Sequence, residues 1–273
     1  MDIVILNLIL VLIGIAIGLL SSMIGLGGGF LIVPILILIF GLPTKSAVAI
    51  SLVAISGTAI SATIGYLRQR RIDFKLGLLY DILDIPGVIL GAYLTTLLPS
   101  KILKIICGIF IIFISLILTK NRQIFVSKEG SIKETQEKGW QRKIIDSFGQ
   151  KFEYSIQKPI FALLSSFFGG LITGLIGLGG GITDTSTMIL LGVPTHIAVA
   201  SSEFAMALTN LAGVISHGFL RNILFSYAIP LTIGTIAGAQ IGCRLTAKIK
   251  GKLLQKTIAF IAFIIGLRLL FWP

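Results

Sequence analysis

Gly25-Leu26-Gly27-Gly28-Gly29 recurs in this chain as Gly177-Leu178-Gly179-Gly180-Gly181. Each copy lies inside a long apolar run. A glycine costs roughly 1 kcal/mol against alanine in a helix interior. Four glycines in five residues therefore interrupt a helix. Non-helical backbone at membrane depth is tolerated only where protein buries it or where it lines a cavity. Two interruptions at matching places in two halves predict a transport site built around them.

Composition sets the class. The 273 residues are 55% hydrophobic and only 12% charged, and the mean hydropathy is +1.01. A soluble domain carries about twice that charge fraction. Apolar runs long enough to span a bilayer recur along the chain, for instance Leu103 to Thr119 and Leu254 to Phe271. The expected fold is an all-α polytopic membrane protein. Continuous rather than alternating runs exclude a barrel. Ile3 to Met23 is read as a membrane segment and not a signal peptide, because its charged flank is Asp2 and a basic n-region is missing. Cys107 and Cys243 are isolated and suit packing. The net charge of +12 lies in short loops beside spans, where topology and anionic lipid account for it without nucleic acid.

The duplication extends well beyond the glycines. At a spacing of 152 residues, Gly18 meets Gly170 and Ile24 meets Ile176. At 151, Gly41, Pro43 and Thr44 meet Gly192, Pro194 and Thr195, and Ala47 to Ser51 parallels Ala198 to Ser202. The expected organisation is a first transmembrane repeat over 1–119, a cytoplasmic linker over 120–158 and a second repeat over 159–273. The linker carries amphipathic patches such as Trp140 to Phe152, which suit a membrane surface. Each half offers five apolar segments, in the first about 3–22, 24–40, 45–66, 76–97 and 102–119. The glycine segment either crosses or dips back. If it crosses, the halves are inverted, and 18 of the 23 lysines and arginines fall on one side. If it is re-entrant, the split is 15 to 8. The positive-inside rule favours inversion, with the linker inside and both termini outside.

The broken segments resume as helices near Phe30 and Ile182. A helix start offers unpaired N–H groups and a positive dipole end, and glycine lets a ligand approach them. Two such starts facing each other predict an anion site without a buried arginine. The candidate substrate-binding set is Gly25, Gly27, Gly28, Gly29, Gly177, Gly179, Gly180, Gly181, Ser51, Ser202, Thr183, Thr209 and Asn210. Ser21, Ser22, Thr58 and Thr173 are further hydroxyls at that depth. Gly87/Gly91 and Gly238/Gly242 have GxxxG spacing and are read as helix packing. Pro43-Thr44 and Pro194-Thr195 read as a turn followed by a hydroxyl N-cap. Asp184 and Glu203 stand mid-segment, opposite Ile32 and Leu52 in the other half. A carboxyl in a span points to an ion or proton pathway, so both are candidates for proton coupling. Asp81 and Asp84 are read as serving their helix's N-terminus and nearby Arg70, Arg71 and Lys75. His196 and His217 mark the two ends of one span, and two histidines make no metal site. No cofactor is expected.

The glycine stretch with its following Val33-Pro34, and then Gly41 to Ser51, resembles the sulfite exporter TauE/SafE family. The second GLGGG and Gly192 to Thr195 extend the resemblance over both halves. It implies a secondary transporter of sulfur-containing anions, such as sulfite or the organosulfonate sulfoacetate, and no enzyme. One departure stands out. Gly181 to Ser186 is polar where Phe30 to Pro34 is apolar, so the two site halves differ. The leading reading is export of such an anion across the cell membrane by alternating access, coupled to protons or driven by the anion's own gradient. Alternatives are uptake of an organosulfonate or other organic anion, a membrane-embedded lipid-modifying enzyme, a channel, and a scaffold. The expected partners are a small anion and membrane lipid, not nucleic acid; a homo-oligomer stays open.

Overall fold

A computed structural model describes residues 3–24, 27–120, 140–156, 159–245, 260 and 263–271. In chain order it has α1 (Ile3–Ile24), α2 (Gly29–Leu38), α3 (Thr44–Arg68), α4 (Phe74–Leu97), α5 (Ser100–Lys120), β1 (Trp140–Ile145), β2 (Lys151–Ile156), α6 (Pro159–Ile176), α7 (Gly181–Leu190), α8 (Thr195–Phe219) and α9 (Phe225–Leu245). Residues 263–271 are also helical. Among the described residues, four helices are long and apolar enough to cross a bilayer: Ile3–Ser22, Thr44–Arg68, Phe74–Leu97 and Thr195–Phe219. The protein is an all-α polytopic membrane protein with one two-stranded hairpin added. Exposed apolar side chains such as Leu8 and Leu12 on α1, Ile82 and Ile89 on α4 and Ile229 and Ile233 on α9 are the lipid-facing surface such a fold requires.

Side-chain size decides how the helices meet. Gly14 and Gly18 of α1 lie against Gly234 and Thr235 of α9, and Leu19 lies against Gly242. Gly170 and Gly174 of α6 lie against Asp84 and Val88 of α4. In both pairs the contacts advance together along the two chains, so the helices run in the same direction. A Cβ on Gly91 would strike the Leu171 carbonyl, and one on Gly238 the Ile15 carbonyl. The GxxxG glycines are thus packing positions, as expected. Cys107 and Cys243 are buried free thiols.

Between α3 and α8 the order reverses. Leu52 meets Gly213, whereas Ala62 and Tyr66 cluster with Val199 and Ala200. Meanwhile α9 follows α3 (Thr235 to Ala54, Gln240 to Ser61) and α4 follows α8 (Asp73 to Ser201, Asp84 to Thr209). Consequently α1, α3 and α9 point one way, and α4, α6 and α8 the other. Each of α1, α3 and α4 runs opposite to the helix that repeats its sequence. The equivalence reaches the backbone: Arg70 and Arg221, 151 positions apart, both adopt the left-handed conformation at φ 53° and 55°.

The N-terminal turns of α3 and α8 correct one expectation. Pro43 and Pro194 are themselves the N-caps, with no side-chain capping bond. Thr44 is already helical, and its hydroxyl donates across the fold to Ser100 O at 3.4 Å. Proline's fixed φ sets up the turn, which leaves the threonine one position too late to cap.

Part of the linker is a hairpin, which the sequence reading did not anticipate. β1 and β2 pair antiparallel from Trp140↔Ile156 to Ile145↔Lys151. The alternation of strand side chains puts Phe152, Tyr154 and Ile156 into a cluster with Leu76 and Tyr80 of α4, Met188 of α7 and Ile197 of α8. Asp73, the N-cap of α4, bonds the Lys75 and Leu76 N–H groups. It also accepts from Arg142 Nε and Tyr154 OH, each at 2.7 Å. Burial alone would raise its pKa; the hydrogen bonds from Arg142, Tyr154 and the Leu76 amide outweigh that and hold it below its ordinary value. Arg71 pairs with Asp146 at 3.0 Å in the same region.

Candidate functional site

The two glycine breaks meet. Gly27 lies against the Leu178 and Gly179 carbonyls, and the Gly29 position is closed by the Gly177 carbonyl and by Leu178 Cα. Five of the described break glycines must be glycine for conformational reasons as well: Gly27 and Gly28 at φ 79° and 73°, and Gly177, Gly179 and Gly180 at 71°, 90° and 64°. Gly28 and Gly180 are the N-caps of α2 and α7, and neither helix start has a side-chain capping bond. Both helices are ten residues long, about 15 Å, or half a hydrocarbon core. Gly28 sits beside Ile17 and Ser21 of α1, and Gly180 beside Thr173 of α6. Each short helix therefore starts partway back along the helix before it. Gly25 and Leu26 lie outside the described residues.

The predicted hydroxyls divide into groups. Ser51 donates to Gly177 O at 2.8 Å, tying α3 to the second break. Thr183 donates to Gly180 O at 2.6 Å. Ser202 shares a 2.6 Å bond with Thr185 of α7. Thr58 returns its proton to Ala54 O in its own helix, and Ser22 bonds to Leu19 O. Ser21 and Thr173 are buried and find no hydrogen-bond partner among the described protein groups, and neither atom of the Asn210 amide does. A small cavity at the second break is lined by Phe110, Gly169, Ile172, Thr173, Leu178, Gly180 and Thr183.

The acids are arranged differently from the sequence reading. Asp184 and Glu203 are both fully buried, and no hydrogen bond joins them. Glu203 lies within electrostatic reach of Cys243 of α9. Asp184 belongs with Asp81 and Asp84 of α4. Those two do not serve the start of α4, which Asp73 caps, and Arg71 pairs with Asp146 instead. They lie two to three turns inside the helix, which carries them past the polar end and into the bundle. There Thr209 Oγ1 sits 2.9 Å from Asp81 Oδ1 and 2.7 Å from Asp84 Oδ2. The spacings of eight and eleven residues from Asp73 to Asp81 and Asp84 were the available signal, since helical periodicity puts all three near one face of α4. His217 ends α8 as expected but is buried, bonded to Gly174 O and Asn222. Among the described residues no group of three His, Cys, Asp or Glu is placed to hold a metal ion.

The family model for the sulfite exporter TauE/SafE matches residues 10–269. The chain belongs to the TauE/SafE family. A relative named "Probable membrane transporter protein YunE", from Bacillus subtilis (strain 168), is 32% identical over 96% of this chain and 97% of its own. "Probable membrane transporter protein MJ0441" of Methanocaldococcus jannaschii is 27% identical over 96% and 94%. "Sulfite exporter TauE/SafE family protein 3" of Arabidopsis thaliana is 29% identical over 47% of this chain and 28% of its own. No solved structure matches. This TauE/SafE protein is a multi-pass membrane transporter and not an enzyme.

Proposed function

We propose that this TauE/SafE protein is a secondary transporter that exports small sulfur-containing anions, sulfite or an organosulfonate such as sulfoacetate, by alternating access. The halves 1–119 and 159–273 act as inverted repeats joined by a cytoplasmic linker over 120–158. The opposite directions of α1 and α6, α3 and α8, and α4 and α9 support inversion, as does the basic end that the positive-inside rule assigns to the cytoplasm. The observation that carries the reading is the contact between the two breaks. It brings two helix starts without side-chain caps, and the glycine backbone before them, to one place inside the bundle. Backbone N–H groups at helix starts bind anions without a buried cation. The wording of the family description and of the Arabidopsis relative's name supports choosing sulfite and export for this proposal. The candidate ligand groups are the glycines of both breaks with Ser51, Thr183, Ser202, Thr209 and Asn210. Asp184 and Glu203 are the proposed carriers of coupling protons.

Purified protein in proteoliposomes, tested with labelled sulfite, sulfoacetate, sulfate and a carboxylate, separates this from other readings. Saturable counterflow of sulfite or sulfoacetate supports a carrier. Flux that never saturates means a channel, and no flux of any anion overturns the reading. A Glu203→Gln variant that moves protons with substrate at the parental rate removes that residue from coupling. Labelling of single cysteines in 120–158 from outside intact cells would overturn the orientation.

A further inference from the structure

Three aspartates converge beside the second break, with no ion pair to a basic residue among the described residues. From the position where a side chain on Gly180 would begin, Thr173 Oγ1 is 3.3 Å away, Asp184 Oδ2 3.5 Å and Asp84 Oδ2 3.7 Å. Asp81 joins them through Thr209. Thr173 is fully buried, its hydroxyl has no partner among the described protein groups, and it faces this same place. Both Asp184 oxygens, Asp84 Oδ1 and Asp81 Oδ2 are likewise unpartnered.

The hydrogen-bond count points to a proton. Thr209 has one hydroxyl hydrogen and lies within bonding distance of two carboxyl oxygens. It donates to one of them. The other contact becomes a hydrogen bond when that carboxyl carries a proton and donates to the threonine oxygen. Charge gives the same answer. The titratable groups facing the pocket are Tyr80, Asp81 and Asp84 from α4 and Asp184 from α7, while α6 contributes none. On α8, His217 is engaged with Gly174 and Glu203 lies toward Cys243. On α5, Lys101 and Lys104 belong to its first turns and Cys107 is a buried thiol. With no cation in this set, neutrality comes from protons.

We propose that Asp81, Asp84 and Asp184, with Thr173 and Thr209, form a proton-binding site of this transporter, and that an anion enters the second break only when the cluster is protonated. This rests on the reading that anions bind at the breaks. An anion beside ionised aspartates is repelled, whereas a protonated carboxyl donates a hydrogen bond to it. Proton and anion then move in the same direction. Export works against an inward proton gradient under this scheme, so the anion's own gradient drives it.

The test uses the full chain in proteoliposomes with a lumenal pH dye and labelled sulfoacetate. An inward sulfoacetate gradient acidifies the lumen, and half-saturation tightens as pH falls, by up to about tenfold per pH unit for one linked proton. In Asp84→Asn and Asp184→Asn the amide imitates the protonated acid. The lumenal acidification that accompanies each labelled sulfoacetate is lost, and the half-saturation of the remaining flux varies less than about twofold across that range. A variant that acidifies like the parent, or an anion gradient that makes the lumen alkaline, overturns the proposal. If the parent transports no anion, the anion reading has failed, and infrared spectra of the protein in lipid nanodiscs judge the cluster alone. Bands of protonated carboxyls that disappear in the two variants support it; spectra unchanged by both substitutions overturn it.

Discussion

The pockets beside the two breaks share a backbone and differ in charge. Gly28 corresponds to Gly180, Ser21 to Thr173 and Thr58 to Thr209. Where the second pocket has Asp81, Asp84 and Asp184, the first has Thr232, Thr235 and Ile32. The threonines satisfy themselves: Thr232 donates to Ala228 O at 2.6 Å, and Thr235 to Ala54 O at 3.0 Å. Asp184, by contrast, has no partner among the described protein groups. Duplication thus preserved the glycine geometry, which steric contact enforces, and left side-chain chemistry free to diverge. The ends differ too. The β1–β2 hairpin packs on α4, α7 and α8, and among the described residues α2, α3 and α9 carry no equivalent.

The sharpest challenge to this comparison is to move the charge across it. Ile32 is 1% exposed. Ile32→Asp is expected to destabilise the protein by about 3–5 kcal/mol, the cost of an uncompensated buried charge. Thermal unfolding in detergent would show this, and a variant as stable as the parent means that the first pocket is already polar. Next is the hairpin. Asp73→Asn removes the charge that pairs with Arg142 and turns one of the two acceptor oxygens facing Arg142 and Tyr154 into an NH2 donor, and it is expected to cost about 3 kcal/mol. Because Asp73 is held below its ordinary pKa, its contribution is complete above about 3.8. It is lost as pH falls further, through the folded-state value. Protease susceptibility of the linker against pH would follow that course, and one that instead changes near neutrality contradicts the assignment.

A smaller effect is expected where the breaks touch. Gly29→Ala drives a methyl group into the Gly177 carbonyl, for a cost of about 1–3 kcal/mol and a loss of counterflow. Gly41, by contrast, has nothing within 4 Å of a new Cβ and only its φ of 64° to strain, and Gly41→Ala is expected to keep counterflow. Equal loss in both variants would remove the special status of the break contact. Least of all, the Lys143–Glu153 pair on the hairpin has side chains 59% and 64% exposed. Glu153→Gln is expected to leave the melting temperature unchanged.

Most of the architecture was legible in the chain because its determinants are local or periodic. Apolar run length reports membrane spans, glycine density reports broken helices, and fixed offsets report duplication. GxxxG spacing identified close packing correctly. The hairpin was missed because six-residue strands in a charged linker have no period strong enough to stand out, and they are held by Asp73 on a distant loop. The fully buried positions of Asp184 and Glu203 followed from their places in apolar runs. Their separation did not, since it depends on which face of α8 meets α7 and which meets α9. Asp81 and Asp84 were misread for the same reason: proximity to Arg70 and Arg71 in sequence ends once α4 carries them inward.

By itself the sequence determined that this is a duplicated, multi-pass helical membrane protein of the TauE/SafE family with one interruption in each half, because hydropathy and backbone propensity act over short distances. Only the tertiary structure decided that the two interruptions touch and that three aspartates from two helices gather beside one of them. That outcome depends on helix rotation and direction, which no single segment encodes and which are settled by packing between segments more than a hundred residues apart.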